Sequence, residues 1–335
     1  MEQNKAKRRI EEIVEEIYEI FKIQIENTSK GQSIDGTLND ESIKWAYFHL
    51  YIPSQNATLI NSPYFYNNGV VHFTDIKSLK SIIGTQTIRL YNLHHLDDPR
   101  EFLFAGDLFA LKDEEKEDAR DNFFIMSFCE AKILQTKEIS KEFNLWRLYG
   151  ENGEGVAIIF SILNDPVDWF EFHISKIIYG AKNRKNFKSL YQMIKELKEE
   201  FSVDVDVRKL CTFHKSRIYN IEKEVRILWD RRKMRAGRKD RTIHDYNNQQ
   251  IFPVVQKKED SPVQFLSLPI YYYDQNFQER GIPLLRIDEI ILGYKHKYNQ
   301  SLKNEIEELA KTHLGYGPKV SFSRLVKPYW GKNIS

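Results

Sequence analysis

Apolar positions along the chain follow two rhythms, one of helix and one of strand. Ile10, Ile13, Val14, Ile17 and Phe21 recur at helical spacing among Glu and Lys, which predicts an amphipathic helix to about Glu26. The polar run NTSKGQSIDGTLNDES reads as a loop, and a second break, NSPYFYNNG, precedes the first clear strand. Residues 1–64 are therefore expected to form an extension of helix and loop on a main domain over residues 65–330. In that domain Val71–Phe73 reads as strand. Thr74 is an N-cap residue type for a short helix on Ile76, Leu79 and Ile83, and Gly84 suits its exit. Thr87–Tyr91 returns as strand. Asn122–Phe128, Gly155–Phe160, Ile174–Gly180, Ile221–Trp229, FLSLPIYYY, IDEIILGY and KVSFSRL are further strand candidates. Helices are predicted on Leu190, Ile194, Leu197 and Phe201, and on Leu302, Ile306 and Leu309. Short strands and intervening helices without a regular parallel alternation indicate an α+β fold.

Composition narrows the class of protein more than its chemistry. The chain has 335 residues, 41% hydrophobic and 29% charged, enough to bury a sizeable core. A formal charge of +2 predicts no polyanionic partner for the molecule as a whole. Two cysteines, Cys129 and Cys211, are too few for a disulfide framework and fit a reducing compartment. The charged amino terminus lacks the apolar core of a secretory signal, and no apolar run has membrane-spanning length. A cytoplasmic location without a membrane partner is expected.

Four segments carry candidate chemistry. In Ile221–Trp229 a period of two puts Glu222, Glu224 and Arg226 on one face, with Val225 and Ile227 on the other. This is either an exposed edge strand with a Glu–Arg pair, or an acidic site in which Arg226 keeps a carboxylate ionised. In LWRLYGENGEG, Trp146 and Tyr149 lie three apart on a helix; they are core residues or a flat wall for a heteroaromatic ring. The glycine spacing matches neither a dinucleotide fingerprint nor a phosphate loop. NLHHLDDPREF is best read as a turn in which Asp97 or Asp98 caps a helix starting at Pro99, and no metal is expected. Arg231 and Arg232 open the basic run RRKMRAGRKDR, which is a solvated loop or a contact to phosphates of a nucleic acid or dinucleotide. His72, at the end of the first strand, is either a satisfied structural histidine or part of a site.

VVHFTDIKSLKSII, LDDPREF, LWRLYG, EKEVRILW and IDEIILGYK, in this order over roughly residues 65–325, resemble a widespread family of bacterial and mobile-element proteins. That family is similar to a distant branch of the ADP-ribosyltransferase fold. The chain departs from its pattern at Asp97, where Asn is usual, and at Val225, where an aromatic is usual. The resemblance implies a split, mixed or antiparallel β-sheet with flanking helices. It also implies NAD as substrate and cleavage of the nicotinamide–ribose bond by a transferase or glycohydrolase, such as a toxin or phage-defence effector. On this resemblance Glu224 is the catalytic carboxylate, His72 and Thr74 orient the ribose, and Tyr149, with Trp146 beside it or Tyr91 in its place, stacks on nicotinamide. Arg226 supports the cofactor side, while Glu222, Arg231 and Arg232 face a protein or nucleic-acid acceptor. An antitoxin or other partner protein is a further expectation. Two other readings stay open: a non-catalytic nucleotide-sensing or protein-interaction module on the same fold, and a nucleic-acid-binding protein using the basic loop.

Overall fold

A computed structural model describes residues 69–96, 100–134, 139–164, 169, 172–180, 184–200, 206–232, 263–270, 282–296 and 298–326. It also describes residues 8 and 12 and strand pairs at 25–26, 45–47, 49–50, 202–204 and 255–257. The main sheet is assembled in the order β1 (Val70–Thr74), α1 (Ile76–Thr85), β2 (Thr87–Asn92), α2 (Arg100–Leu108), α3 (Asp113–Asn122) and β3 (Phe123–Glu130). Then come α4 (Ile139–Tyr149), β4 (Val156–Ile162), β5 (Phe172–Lys176), α5 (Arg184–Glu200), α6 (Val207–Cys211) and β6 (Glu224–Asp230). β7 (Val255–Lys257), β8 (Gln264–Pro269), β9 (Leu285–Leu292), α7 (Gln300–Leu314) and β10 (Lys319–Phe322) complete it. The α+β class expected from the sequence is the observed one.

β3 organises the sheet. One of its edges pairs with β6 along its length, from Glu224↔Cys129 to Asp230↔Phe123, and β6 pairs in turn with β5. The other edge is shared by two strands that meet it at opposite ends. β1 joins at Val70↔Glu130 and Val71↔Cys129, and β2 joins at Tyr91↔Ile125 and Asn92↔Phe124. Beyond these contacts β1 continues into β4, β9 and β10, while β2 continues into β8 and β7. Among the described residues Met126, Ser127 and Phe128 thus have no strand partner on that edge, and the sheet is split there. Among the described strands of this sheet all pairs are antiparallel except β9 with β10.

β3 reads as a nearly continuous apolar run because both of its faces are covered. On one face Phe124, Met126 and Phe128 join Val225, Ile227 and Trp229 under Leu79 and Ile83 of α1 and Ile306 and Ala310 of α7. The opposite face carries two apolar clusters. Ile125 and Leu228 pack with Phe109, Phe187 and Leu210, whereas Val71, Cys129 and Ala157 pack with Leu145 and Trp146 of α4. Ser127, Glu224 and Arg226 fall between these two clusters, so a polar layer interrupts an otherwise apolar face.

Local chemistry explains where elements begin. Asp75, not Thr74, caps α1: its carboxylate accepts from the Ser78 amide at 2.7 Å. Gly84 lies inside the helix, and Gln86 takes the left-handed exit at φ 53°. β6 begins at Glu224 rather than Ile221, because Arg217–Glu222 winds as a 3-10 helix and Lys223 adopts φ 47°. α3, too charged to show an apolar stripe, has no counterpart in the sequence reading. In the extension, Ile25–Glu26, expected as a helix end, is a strand paired with His49–Leu50, and Trp45–Tyr47 pairs with Ser202–Asp204. Arg8 and Glu12 are helical; the rest of the expected N-terminal helix lies outside the described residues. No helix among the described residues is long and apolar enough to cross a membrane.

Candidate functional site

The polar layer is a buried ion cluster. Glu224, 3% exposed, accepts through Oε1 from Arg226 Nε at 2.8 Å and from the Ser127 hydroxyl, and its Oε2 stands 2.5 Å from Lys215 Nζ. Lys215 comes from the two-residue strand His214–Lys215 after α6, and it also reaches Glu101 and Glu222, each at 2.9 Å. Arg226 donates to Glu101 and to the Thr212 carbonyl. The Tyr149 hydroxyl donates to the other oxygen of Glu222. Three carboxylates therefore surround two cations, and hydroxyl donors on Ser127 and Tyr149 take up further acceptor capacity. Burial alone would raise the Glu224 carboxyl, but Arg226, Lys215 and Ser127 hold it below the ordinary range. Burial and the Glu222 contact push the Tyr149 phenol upward. Burial of this kind is stable only because every charge has a partner.

Beside this cluster opens a cleft of ≈ 430 Å³, lined by Glu130, Lys132, Ile133, Lys141, Lys176, Ile177, Tyr179, Lys223 and Glu224. Its elements converge from β3, the turn Ala131–Leu134, α4, β5 and the start of β6. Glu130 pairs with Lys176 at 2.6 Å and with Lys132 at 3.0 Å. The Tyr179 hydroxyl accepts from the Glu224 amide, and burial first, then the Glu224 charge, push its phenol pKa upward. The described lining residues include four lysines and two carboxylates, in a chain that carries only +2 overall.

Of the residues singled out from the sequence, Glu222, Glu224, Arg226 and Tyr149 come together. Glu222 does so through Lys215 rather than through a shared strand. His72 does not join them: contrary to the expectation that it shares a crevice with Glu224, the two side chains leave the sheet on opposite faces. Val71, Cys129 and Glu224 are lateral neighbours on one face, so strict alternation turns His72 to the other. There it meets the Phe128 ring edge-on at 6.2 Å and hydrogen-bonds the backbone of Ser127 at the unpaired edge of the split. Burial pulls its imidazole down to about 4, so it is a neutral residue closing the gap in the sheet. Thr74 pairs with Val156 at the end of β1.

Trp146 is fully buried, edge-on to Phe73 at 5.0 Å and donating to Glu142; it is core, not a ligand wall. Tyr91 lies on the other limb of the split against Phe265. Arg232 is committed to Asp118, Asp206 and Asp230 and stacks on Phe123, and the Arg231 amide donates to Asn122. The rest of the basic run, from residue 233, lies outside the described residues, as do Asp97, Asp98 and Pro99. At the surface His94 pairs with Asp121 at 2.8 Å and Glu117 at 3.4 Å, and these three groups could together reach one cation.

The sequence reading passed over Lys132, Lys141, Lys176, Lys215, Ser127, Tyr179, Glu101 and Glu130. A usable signal existed for two of them. Lys176 and Lys215 stand inside otherwise apolar stretches, ISKIIYG and CTFHKS, where a cation needs a buried partner.

A family described as a protein of unknown function (DUF2971) matches residues 145–227. The matched stretch holds Tyr149, Lys176, Lys215, Glu222, Glu224 and Arg226, but not His72, Ser127 or Glu130. No curated protein and no solved structure matches the chain.

Proposed function

We propose that this protein binds NAD or a closely similar nucleotide, with phosphates on the lysines of the cleft and the ribose toward Glu224. One observation carries the reading: Lys132, Lys141, Lys176 and Lys223 line a cleft whose other charged lining residues, among the described residues, are Glu130 and Glu224. Four ammonium groups against two carboxylates favour a multiply charged anion. A volume of ≈ 430 Å³ suits a small molecule, and Tyr179 supplies an aromatic surface. The split at Ser127 is in keeping with the sheet that the family resemblance implies, which favours NAD over other phosphate esters.

Binding without turnover is the better supported form. Glu224 already answers to Arg226, Lys215 and Ser127, and His72 stands across the sheet from it. A second reading, NAD cleavage by transfer or hydrolysis as in a toxin or phage-defence effector, is favoured by the Tyr149–Glu222 contact. Tyr149 is 40% exposed, and two carboxylates beside its ring would stabilise positive charge developing on a ribose.

One experiment separates the readings. NAD is titrated calorimetrically into the full chain, and nicotinamide release is followed with and without cell extract. Saturable binding, lost in Lys176→Ala/Lys223→Ala, without nicotinamide release, is the expected result. Release abolished by Glu224→Gln establishes cleavage instead. No NAD binding at millimolar concentration removes both.

A further inference from the structure

Among the described residues Glu130 is the one lining carboxylate outside the buried ion cluster, and its two oxygens are divided between two lysines. Oε1 faces Lys176 at the end of β5, and Oε2 faces Lys132 in the turn after β3. Its backbone is fixed: Val70 pairs with it laterally, and its amide donates to the Lys223 carbonyl at 3.2 Å. The lysine side chains are 32% and 47% exposed, and both line the cleft. Burial would raise the Glu130 carboxyl, yet the two lysines hold it below the ordinary range, and it stays ionised at neutral pH.

We propose that Glu130 is a built-in competitor for the phosphate of the ligand. Its carboxylate holds the position between Lys132 and Lys176 that a pair of phosphate oxygens takes on binding. This deepens the nucleotide reading of the cleft and rests on it. A ligand with a single phosphate gains two lysines but meets an ionised carboxylate at close range. A ligand with two adjoining phosphates engages Lys141 and Lys223 as well, and so overcomes the repulsion. Each ammonium has three donors, so the lysines can turn from carboxylate to phosphate without movement of β3 or β5. Glu130 thus favours ligands whose two adjoining phosphates span the four lysines, and selects pyrophosphate-bearing compounds over monophosphates.

The test uses inorganic pyrophosphate and orthophosphate as probes, titrated calorimetrically at low salt into the wild-type chain, Glu130→Gln and Lys176→Gln. Glu130→Gln is expected to bind pyrophosphate at least about tenfold more tightly than wild type, a gain the size of one close charge pair. Its preference for pyrophosphate over orthophosphate is expected to shrink, and Lys176→Gln to bind both more weakly. Unchanged or weaker pyrophosphate binding by a natively folded Glu130→Gln overturns the proposal, as does absence of pyrophosphate binding in both proteins. Should Glu130→Gln not fold, Glu130→Asp, whose shorter side chain withdraws from the lysines, must show a smaller gain of the same sign; no gain overturns it equally. NAD titrated in parallel keeps the two ideas apart. A gain for pyrophosphate without NAD binding removes only the NAD reading, whereas NAD binding with no response to Glu130→Gln removes only the competitor.

Discussion

Lys215 touches Glu101, Glu222 and Glu224 at once, and this makes it the most sensitive residue of the buried layer. Lys215→Met leaves Glu101 and Glu224 to Arg226 and Glu222 to the Tyr149 hydroxyl, and loss of one partner from a buried ion group typically costs about 3–5 kcal/mol. Chemical denaturation should show a loss of that size, with Glu222→Gln costing distinctly less because it removes one of three competing carboxylates. An unfolding midpoint for Lys215→Met equal to wild type would show that water, not Lys215, neutralises the cluster. His72 makes a second prediction. Burial lowers its folded value from 6.5 to about 4, so the unfolded chain takes up the proton first. The stability it contributes is full above its unfolded value and is lost as pH falls toward about 4. His214 behaves alike, lowered by burial to about 4. Urea unfolding between pH 7 and 4.5 should reveal about 1–3 kcal/mol lost per histidine. His72→Gln should reduce the slope, and an unchanged slope would mean that the imidazole is wet in solution.

Among elements, the junction of the Arg217–Glu222 turn with β6 decides the shape of the site. Lys223 at φ 47° ends the 3-10 helix and starts the strand, which lets Glu222 and Glu224 both face Lys215. A non-glycine residue in the left-handed region costs about 1–2 kcal/mol, and glycine returns about 0.4–1 kcal/mol of that through unfolded-chain entropy. Lys223→Gly should therefore be neutral to slightly stabilising in a thermal melt while weakening nucleotide binding, because the cleft loses one ammonium. A drop in both would show that the Lys223 side chain, rather than its backbone, holds the turn. The loop after α4 is less tolerant. A Cβ on Gly155 would stand 2.3 Å from the Thr74 carbonyl, so β1 and the loop approach too closely for any side chain. Gly155→Ala should lower stability by about 1–3 kcal/mol.

At the scale of the whole molecule, charge is distributed rather than summed. The chain carries +2, yet a small region concentrates four lysines beside a buried cluster that has one more carboxylate than cations. Nucleotide affinity should therefore fall severalfold between about 50 and 500 mM salt, as the Debye length shrinks below the width of the cleft. Affinity independent of salt would mean that the lysines contact water only. The same arrangement places the split of the sheet and the ion cluster on opposite sides of Ser127. Its backbone receives His72 and its hydroxyl serves Glu224.

Periodicity and turn chemistry in the sequence settled the β1–α1–β2 opening, the strands near Phe123–Glu130, Val156–Ile162 and Leu285–Leu292, and the shared face of Glu224 and Arg226. Each of these depends on neighbours within a few residues, where spacing of two or 3.6 leaves little choice. Tertiary structure alone decided that Val71 pairs with Cys129 and so turns His72 away from Glu224, since one strand's alternation says nothing about its register on another. It alone brought Lys215 and Glu101 to Glu224, and Lys132, Lys141, Lys176 and Lys223 to one cleft. A lysine is a flexible point charge whose partner is fixed by the packing of distant elements, and no local pattern encodes that distance.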